Sequence, residues 1–571
     1  MHFMKPFALV FVLLSSLCVI IRMDHHNFGY SMKNIPIPSE QEFKLELLNS
    51  IHTFDTRMRW RAHFFLNPNP NKSRQEKFGL NTSNPPPSVK ELKPLQDGLC
   101  ELARNIKFRE VKNKFQNKLK NDLKEIKNEK KVTVAADKTR NFYKMEPDRY
   151  KELLNNNITK DYKKADDKLA HAIAKKDKRI ASKLEIADRL YCTSKRESFI
   201  TIKDHKQNFM NNPKCRVLNP TKSELGKVSK QMLEKIISAV KTKSQLQQWK
   251  NTDSVINWFN DLKDKQKLTF IQFDVMNFYA PITPKLLNDA IEHAENYIYI
   301  SDVTKETILQ ATNSFLCSDG QTWIKRQGDT FDITMGGFHG AEVCDLVGLF
   351  ILSQLVTIIP NVGLYRDDGL AVSSATSRQI ENMKKKICKV FERNGLNITI
   401  EANSKVVNFL DINMDLNTSI YKPFMKENDT PTYVSMKSNH PPAILKNIPL
   451  GVNRRLSRIS ANNTVFNAAA APYQEALASS GYSHTLEFQP PQELTTKKKN
   501  RKRNITWFNP PYSVNVQTNV GKEFLRLIDT VFPPSNPLRK LVTHHHHTIR
   551  IFRMYVTLSQ KLEIFQMYVQ P

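Results

Sequence analysis

The sequence predicts an α+β chain of several subdomains, and three observations carry that expectation. The β-rich run Leu268-Thr269-Phe270-Ile271-Gln272-Phe273-Asp274-Val275 carries an acidic residue near its end, and a helix signal follows it. Further on, two short apolar runs flank Arg366-Asp367-Asp368-Gly369, as the strands of a hairpin do. At 571 residues the chain is also too long for one ordinary core.

The first element has two readings. Lys5-Pro6, the apolar run Phe7 to Ile21 and then Arg22 have the charge and length of a signal-peptide core, short for a spanning helix. Residues 1–22 are therefore either a genuine leader, giving a membrane-anchored or secreted protein, or an artefact of the gene model, with Met23 as the start. Asn67-Pro68-Asn69-Pro70 and Pro85-Pro86-Pro87 read as linkers, and Phe115 to Lys131 as a solvated basic helix.

Val132, Val134 and Ala135 open a strand that leads into Ala136-Asp137-Lys138-Thr139. Phe199 to Ile202 alternates like a strand running into Lys203-Asp204-His205-Lys206, and Cys215 to Leu218 forms a second strand ending at Pro220. Together they predict a basic β-ribbon carrying Lys203 and Arg216. Past Asp274, Thr283 is a good N-cap and Pro284 suits the first helical position. Leu286, Leu287, Ala290, Ile291 and Ala294 then share one helical face. In the hairpin, Gly369 is expected to supply turn geometry. Beyond residue 421, a helix is expected through Leu445, Ile448, Val452, Leu456 and Ile459. A second runs from Val465 to Leu477, broken near Pro472.

Charge narrows the partners. There are 86 Lys+Arg against 56 Asp+Glu, a net +30. Such an excess suits a polyanion, nucleic acid first and anionic membrane second. Seven dispersed cysteines without a CxxC pair read as reduced intracellular thiols with no disulfide partner. His544 to His547 reads as a solvated, biased tail.

Asp-Asp-Gly alone is an ordinary turn. Adjacent aspartates raise each other's pKa, and a tip that faces a third carboxylate needs cations. Asp274 followed by an aromatic pair, a Gly-rich turn into a helix, and Tyr365-Arg366-Asp367-Asp368 make a specific combination, with 367 − 274 = 93 residues between the carboxylates.

That order resembles the palm motifs of reverse transcriptases, and its wording is most similar to Penelope-like retroelements of animals. The matching segments are Phe273-Asp274-Val275 with Phe278-Tyr279; Thr334-Met335-Gly336-Gly337-Phe338-His339-Gly340-Ala341-Glu342-Val343-Cys344; Tyr365-Arg366-Asp367-Asp368; and Asn408-Phe409-Leu410-Asp411-Ile412. The resemblance spans about Asn27 to Leu541. It implies a right-hand polymerase fold of fingers, palm with antiparallel sheet and helices, and helical thumb. It also implies an RNA-directed DNA polymerase with two Mg²⁺ ions, or Mn²⁺ in their place, working on an RNA template, a DNA primer and deoxynucleoside triphosphates.

Carried over by position, Asp274, Asp367 and Asp368 would hold the metals and Lys405 would protonate the leaving pyrophosphate. Tyr279 would screen the sugar, and Arg216 with Lys203 would grip the triphosphate. Gly336 and Gly337 would let the backbone approach, and Phe409-Leu410-Asp411 would form the primer grip. The chain departs from the family, which usually has an acidic residue where Asn277 stands, Pro at Ala280, a small hydroxyl residue near Gly337 and Asp near His339.

The expected division is 1–22 leader, 23–130 basic region, 131–225 fingers, 226–420 palm, 421–485 thumb (catalogued by some as helix-turn-helix) and 486–571 a basic, poorly ordered tail. Lys497 to Arg503 in that tail is fit for nuclear import, nucleic-acid contact or a solvated linker. Nothing after Leu541 resembles the GIY-YIG endonuclease of the family, so no cleavage activity is expected. Location is expected to be nuclear or cytoplasmic, or the secretory pathway if the leader is genuine. A catalytically decayed, nucleic-acid-binding relic is the alternative to an active enzyme.

Overall fold

The computed structural model describes residues 34–68, 86–137, 142–188, 190, 195–204, 213–221, 223–326, 330–425, 431–490 and 506–542. The leader, the 497–503 basic cluster and the 544–547 histidines lie outside these. Among the described residues no helix is long and apolar enough to cross a membrane.

The centre of the molecule is a five-stranded sheet in the order Ile398–Ser404, Thr269–Val275, Asp368–Ser373, Val362–Tyr365, Gln247–Gln248. Only the last strand pairs in parallel. Side chains alternate across a strand, so Ile271, Phe273 and Val275 fall on one face and Phe270, Gln272 and Asp274 on the other. The first face is covered by helices Glu224–Ser244, Pro284–Glu295, Gly340–Leu355 and Ser377–Arg393, which together form the largest core. Thr283 caps Pro284–Glu295 as its sequence predicts, accepting from the Leu286 amide, and all five apolar residues of its face are buried.

Phe270, Leu370 and Val372, on the opposite face, pack against a smaller sheet (Val406–Phe409, Ile412–Asp415, Ile420–Pro423) and helices Pro442–Arg458 and Asn463–Ser479. The second of these helices runs unbroken through Pro472. The predicted break is corrected here: Phe466 and Leu477, on either side of the proline, are fully buried in one core. Their packing outweighs the one backbone bond that Pro472 removes.

Two antiparallel ribbons lie N-terminal to the central sheet. Val132–Ala135 pairs with Phe142–Met145, and Phe199–Ile202 with Cys215–Leu218. A parallel bridge between Ala136 and Ile202 joins them. Val134, Ile200 and Ile202 pack on Leu153, Leu154 and Ile158 of helix Pro147–Asp161.

Residues 506–542, part of the stretch expected to be poorly ordered, are folded. Helix Val520–Val531 and the turn Pro537–Leu541 share a core with helices Glu40–Leu66 and Lys93–Arg104. Phe508, Phe524, Ile528 and Phe532 fill it from one end of the chain, and Phe43, Leu47, Phe54 and Leu99 from the other. The apolar spacing of 524, 528 and 532 is that of one helix face. It is masked in the sequence by the basic stretch before it.

Candidate active site

The carboxylates are positioned by strand register. Asp274 stands opposite Asp368 on the neighbouring antiparallel strand, and Tyr365 stands opposite Asp368 on the next. Thr399 flanks Asp274 on the other side. Thr399, Asp274, Asp368 and Tyr365 thus form one row across the sheet, on the face opposite the four large helices. Asp274 is exposed and Asp368 partly so. Asp367 occupies the two-residue loop, and its carbonyl accepts from the Val275 amide at 2.9 Å. That bond ties the loop to the end of the strand that carries Asp274.

The turn is made by Arg366, not by Gly369. Arg366 has φ 54°, whereas Gly369 lies within the strand Asp368–Ser373. A side chain at positive φ costs on the order of 1–3 kcal/mol and persists only where its surroundings enforce it. Burial works against the Arg366 charge, yet Tyr279, Tyr365, Asp345 and Asp367 around it hold its pKa above the ordinary value. Gly369 has a different purpose: a Cβ there would lie 2.0 Å from the Phe273 ring. Phe273 in turn packs edge-on against Phe391, 5.5 Å between centroids. The glycine lets the two aspartate strands close over that ring.

Tyr279 is largely buried and close to the hairpin; burial first, then Cys344 and the Asp367 charge, raise its phenol pKa. Its ring would be 3.6 Å from a Cβ at Gly340. Asn277, where the resembling family carries an acid, has φ 51°, a conformation Asn tolerates better than most residues. His339 is buried, and that burial, with Lys230 second, lowers its pKa to about 4, so the ring is neutral.

Gly336 has φ 110°, and a Cβ there would meet the Asn219 carbonyl at 2.7 Å. The Asn219 amide donates to the Met335 carbonyl at 3.2 Å. This glycine therefore brings the segment after the Arg216 strand against the 334–340 loop. Gly337 is packed on Thr334, whose Oγ1 would be 3.1 Å from a Cβ.

Other predicted residues sit away from the aspartates. Lys405 Nζ donates to the carbonyls of Gln266 (2.7 Å) and Leu268 (2.6 Å). Those lie at the opposite end of the Asp274 strand, about 20 Å away at 3.3 Å per residue. The structure does not bring Lys405 to the carboxylates. Phe409 is a core side chain, Leu410 turns the hairpin at φ 55°, and Asp411 accepts from Thr252 and from Arg455 at 2.6 Å. The Asp411 carboxylate thus anchors helix Pro442–Arg458 rather than facing outward. Lys203 and Arg216 are placed on the ribbons as expected, Lys203 with its amide bonded to the Lys214 carbonyl at 2.8 Å. Arg216 is ion-paired with Asp137 at 2.8 Å.

Two acids were invisible in the sequence. Asp137 gave no signal beyond following a strand. Asp345 lies on helix Gly340–Leu355, its pKa raised by burial and pulled back by Lys241 and Arg366.

Among the described residues no group of three or more His, Cys, Asp or Glu converges closely enough to hold a metal alone. The opposed pair Asp274 and Asp368 still fits a hard divalent ion. Mg²⁺ takes one or two protein carboxylates and completes its shell with substrate phosphates and water.

No protein-family model matches the chain, and no curated protein matches it. Solved structures overlap it only loosely. Telomerase from Candida albicans, in complex with a fragment of telomeric RNA, is 10% identical with a TM-score of 0.44, covering 69% of this chain and 75% of that one. Apo telomerase from Candida tropicalis gives 11% identity and 0.41, covering 78% and 86%. The RNA-dependent RNA polymerase of a human picobirnavirus gives 10% and 0.34, covering 61% and 77%. At such scores the assignment must come from the site itself.

Proposed function

We propose that the chain is a nucleic-acid polymerase, specifically the RNA-directed DNA polymerase of a Penelope-like retrotransposon, with a right-hand fold. The observation that carries this reading is the opposition of Asp274 and Asp368 across neighbouring strands, on the sheet face opposite the four large helices, with Asp367 in the adjoining loop. Asp274, Asp367 and Asp368 would hold Mg²⁺, which when bound lowers the pKa of a primer hydroxyl and neutralises the phosphates.

The remaining chemistry belongs to the chain's own groups. Tyr279, beside Asp367, supplies a wall for the sugar of the incoming nucleotide. Arg216 and Lys203, on the ribbons that Gly336 helps draw in, supply cations for the triphosphate. Leu410 at its hairpin tip borders the path of the primer, on the same side of the sheet as Phe270. The net charge of +30 suits a template–primer duplex. Lys405 is not assigned to proton transfer, given its backbone partners.

Primer extension on poly(rA)/oligo(dT) with Mg²⁺ tests this. Extension is expected for the wild type and should vanish in Asp367→Asn. Extension that survives the substitution would refute the site, and salt-sensitive duplex binding without any extension would identify a non-catalytic relic.

A further inference from the structure

Arg216 is not held by its own strand. Its Nη1 donates to Asp137 Oδ1 at 2.8 Å, across from the other ribbon. Asp137 is locked where the ribbons meet: its amide donates to the Ile202 carbonyl at 2.8 Å, next to the parallel bridge between Ala136 and Ile202. Arg216 pairs in register with Thr201, one residue before that bridge.

The pair is asymmetric in exposure. The Asp137 side chain is 6% exposed and that of Arg216 32%. The anion is sealed and the cation reaches the surface. Among the described residues that bond uses one of the five guanidinium N–H groups. Asp137 Oδ2 is buried with no hydrogen-bond partner among the described residues. A carboxylate so enclosed is tolerated because a cation neutralises it. Arg216 is therefore a fixed fork with four further N–H groups beyond its bond to Asp137 among the described residues, the geometry suited to a phosphate.

We propose that Asp137 is the positioning residue for Arg216, orienting the guanidinium so that its other N–H groups meet the triphosphate of an incoming nucleotide. This rests on the polymerase reading above and deepens it. Asp137 touches no substrate. It acts on nucleotide affinity through Arg216 and leaves the carboxylate chemistry alone.

The test is steady-state extension at saturating template–primer, varying the nucleotide, for wild type, D137N, D137E, R216Q and D137N/R216Q, with thermal midpoints recorded for each. D137N is expected to raise the nucleotide KM about tenfold with kcat within about twofold, and the double variant to be no worse than R216Q alone. D137E keeps the charge but displaces the fork, so a smaller rise, about threefold, is expected; it carries the test if D137N does not fold. An unchanged KM in both Asp137 variants, or single effects that multiply in the double, would overturn the inference and leave the polymerase reading intact. A wild type that extends no primer removes both.

Discussion

Asp274 and Asp368 stand directly opposite one another on antiparallel strands, so two carboxylates project side by side from one face of the sheet. Like charges so placed destabilise a sheet, by about 0.2–1 kcal/mol. Asp368→Asn should therefore raise the thermal midpoint in EDTA by about 1–2 °C while lowering extension on the order of 10²–10³-fold. Adding Mg²⁺ should stabilise the wild type more than the variant. Differential scanning fluorimetry with and without the metal reads both effects, and equal Mg²⁺ shifts in the two proteins would contradict a metal at this pair.

Gly369→Ala is expected to cost about 1–3 kcal/mol, because its Cβ would lie 2.0 Å from the Phe273 ring. Shrinking the obstacle should relieve part of that loss. In urea unfolding, the Phe273→Leu/Gly369→Ala double variant should lose less than the sum of the two singles. Strict additivity would mean that the ring does not set the requirement for glycine.

Much of this site was legible in the sequence, and the reason is periodicity. Thr283, Pro284 and the five apolar residues after them announced a helix because each obeys a local rule, and the hairpin around Asp367 obeyed another. What escaped was set by contacts distant in sequence. Gly369 looked like a turn residue, yet Phe273, on a strand 96 positions earlier by number (369 − 273), dictates it. Lys405 looked catalytic until two carbonyls at the far end of a strand were seen to hold it. Asp137 carries no pattern of its own, since its meaning comes wholly from Arg216.

A pH effect follows from Asp177, which lies on helix Lys168–Lys183 and accepts from Gln310 and Ser223. Burial lifts its pKa to about 6 despite those two bonds. The folded state then holds a proton that the unfolded chain releases near pH 3.8. Stability from this group is full below that value and is lost as pH rises to about 6, on the order of 2–3 kcal/mol in all. His339 and His440, both lowered to about 4 by burial, run in the opposite direction. The difference between wild type and Asp177→Asn isolates the carboxylate. The variant should gain on the wild type between about pH 4 and 6, with a constant advantage above, in urea midpoints measured across that range. A difference that is flat with pH would refute it.

Deleting residues from 506 onward should unfold more than it removes. Phe508, Phe524, Ile528 and Phe532 complete the core beneath helices Glu40–Leu66 and Lys93–Arg104. Circular dichroism should show helix lost from 40–104 as well as from Val520–Val531, and trypsin should cut within 40–104. Undiminished protection of those N-terminal helices would show that they stand alone.

That shared core also has a consequence in time. Residues 43–106 leave the ribosome roughly 400 positions before Phe508 and Phe524 are made, a wait of about 20–80 s at typical synthesis rates. Through that interval Phe43, Leu47 and Phe54 have an unfinished interior. A segment synthesised late completes the core of one synthesised early, so the basic amino-terminal region matures only after the sheet with its aspartates has been translated. Until then the apolar faces of those helices lack part of the core that covers them.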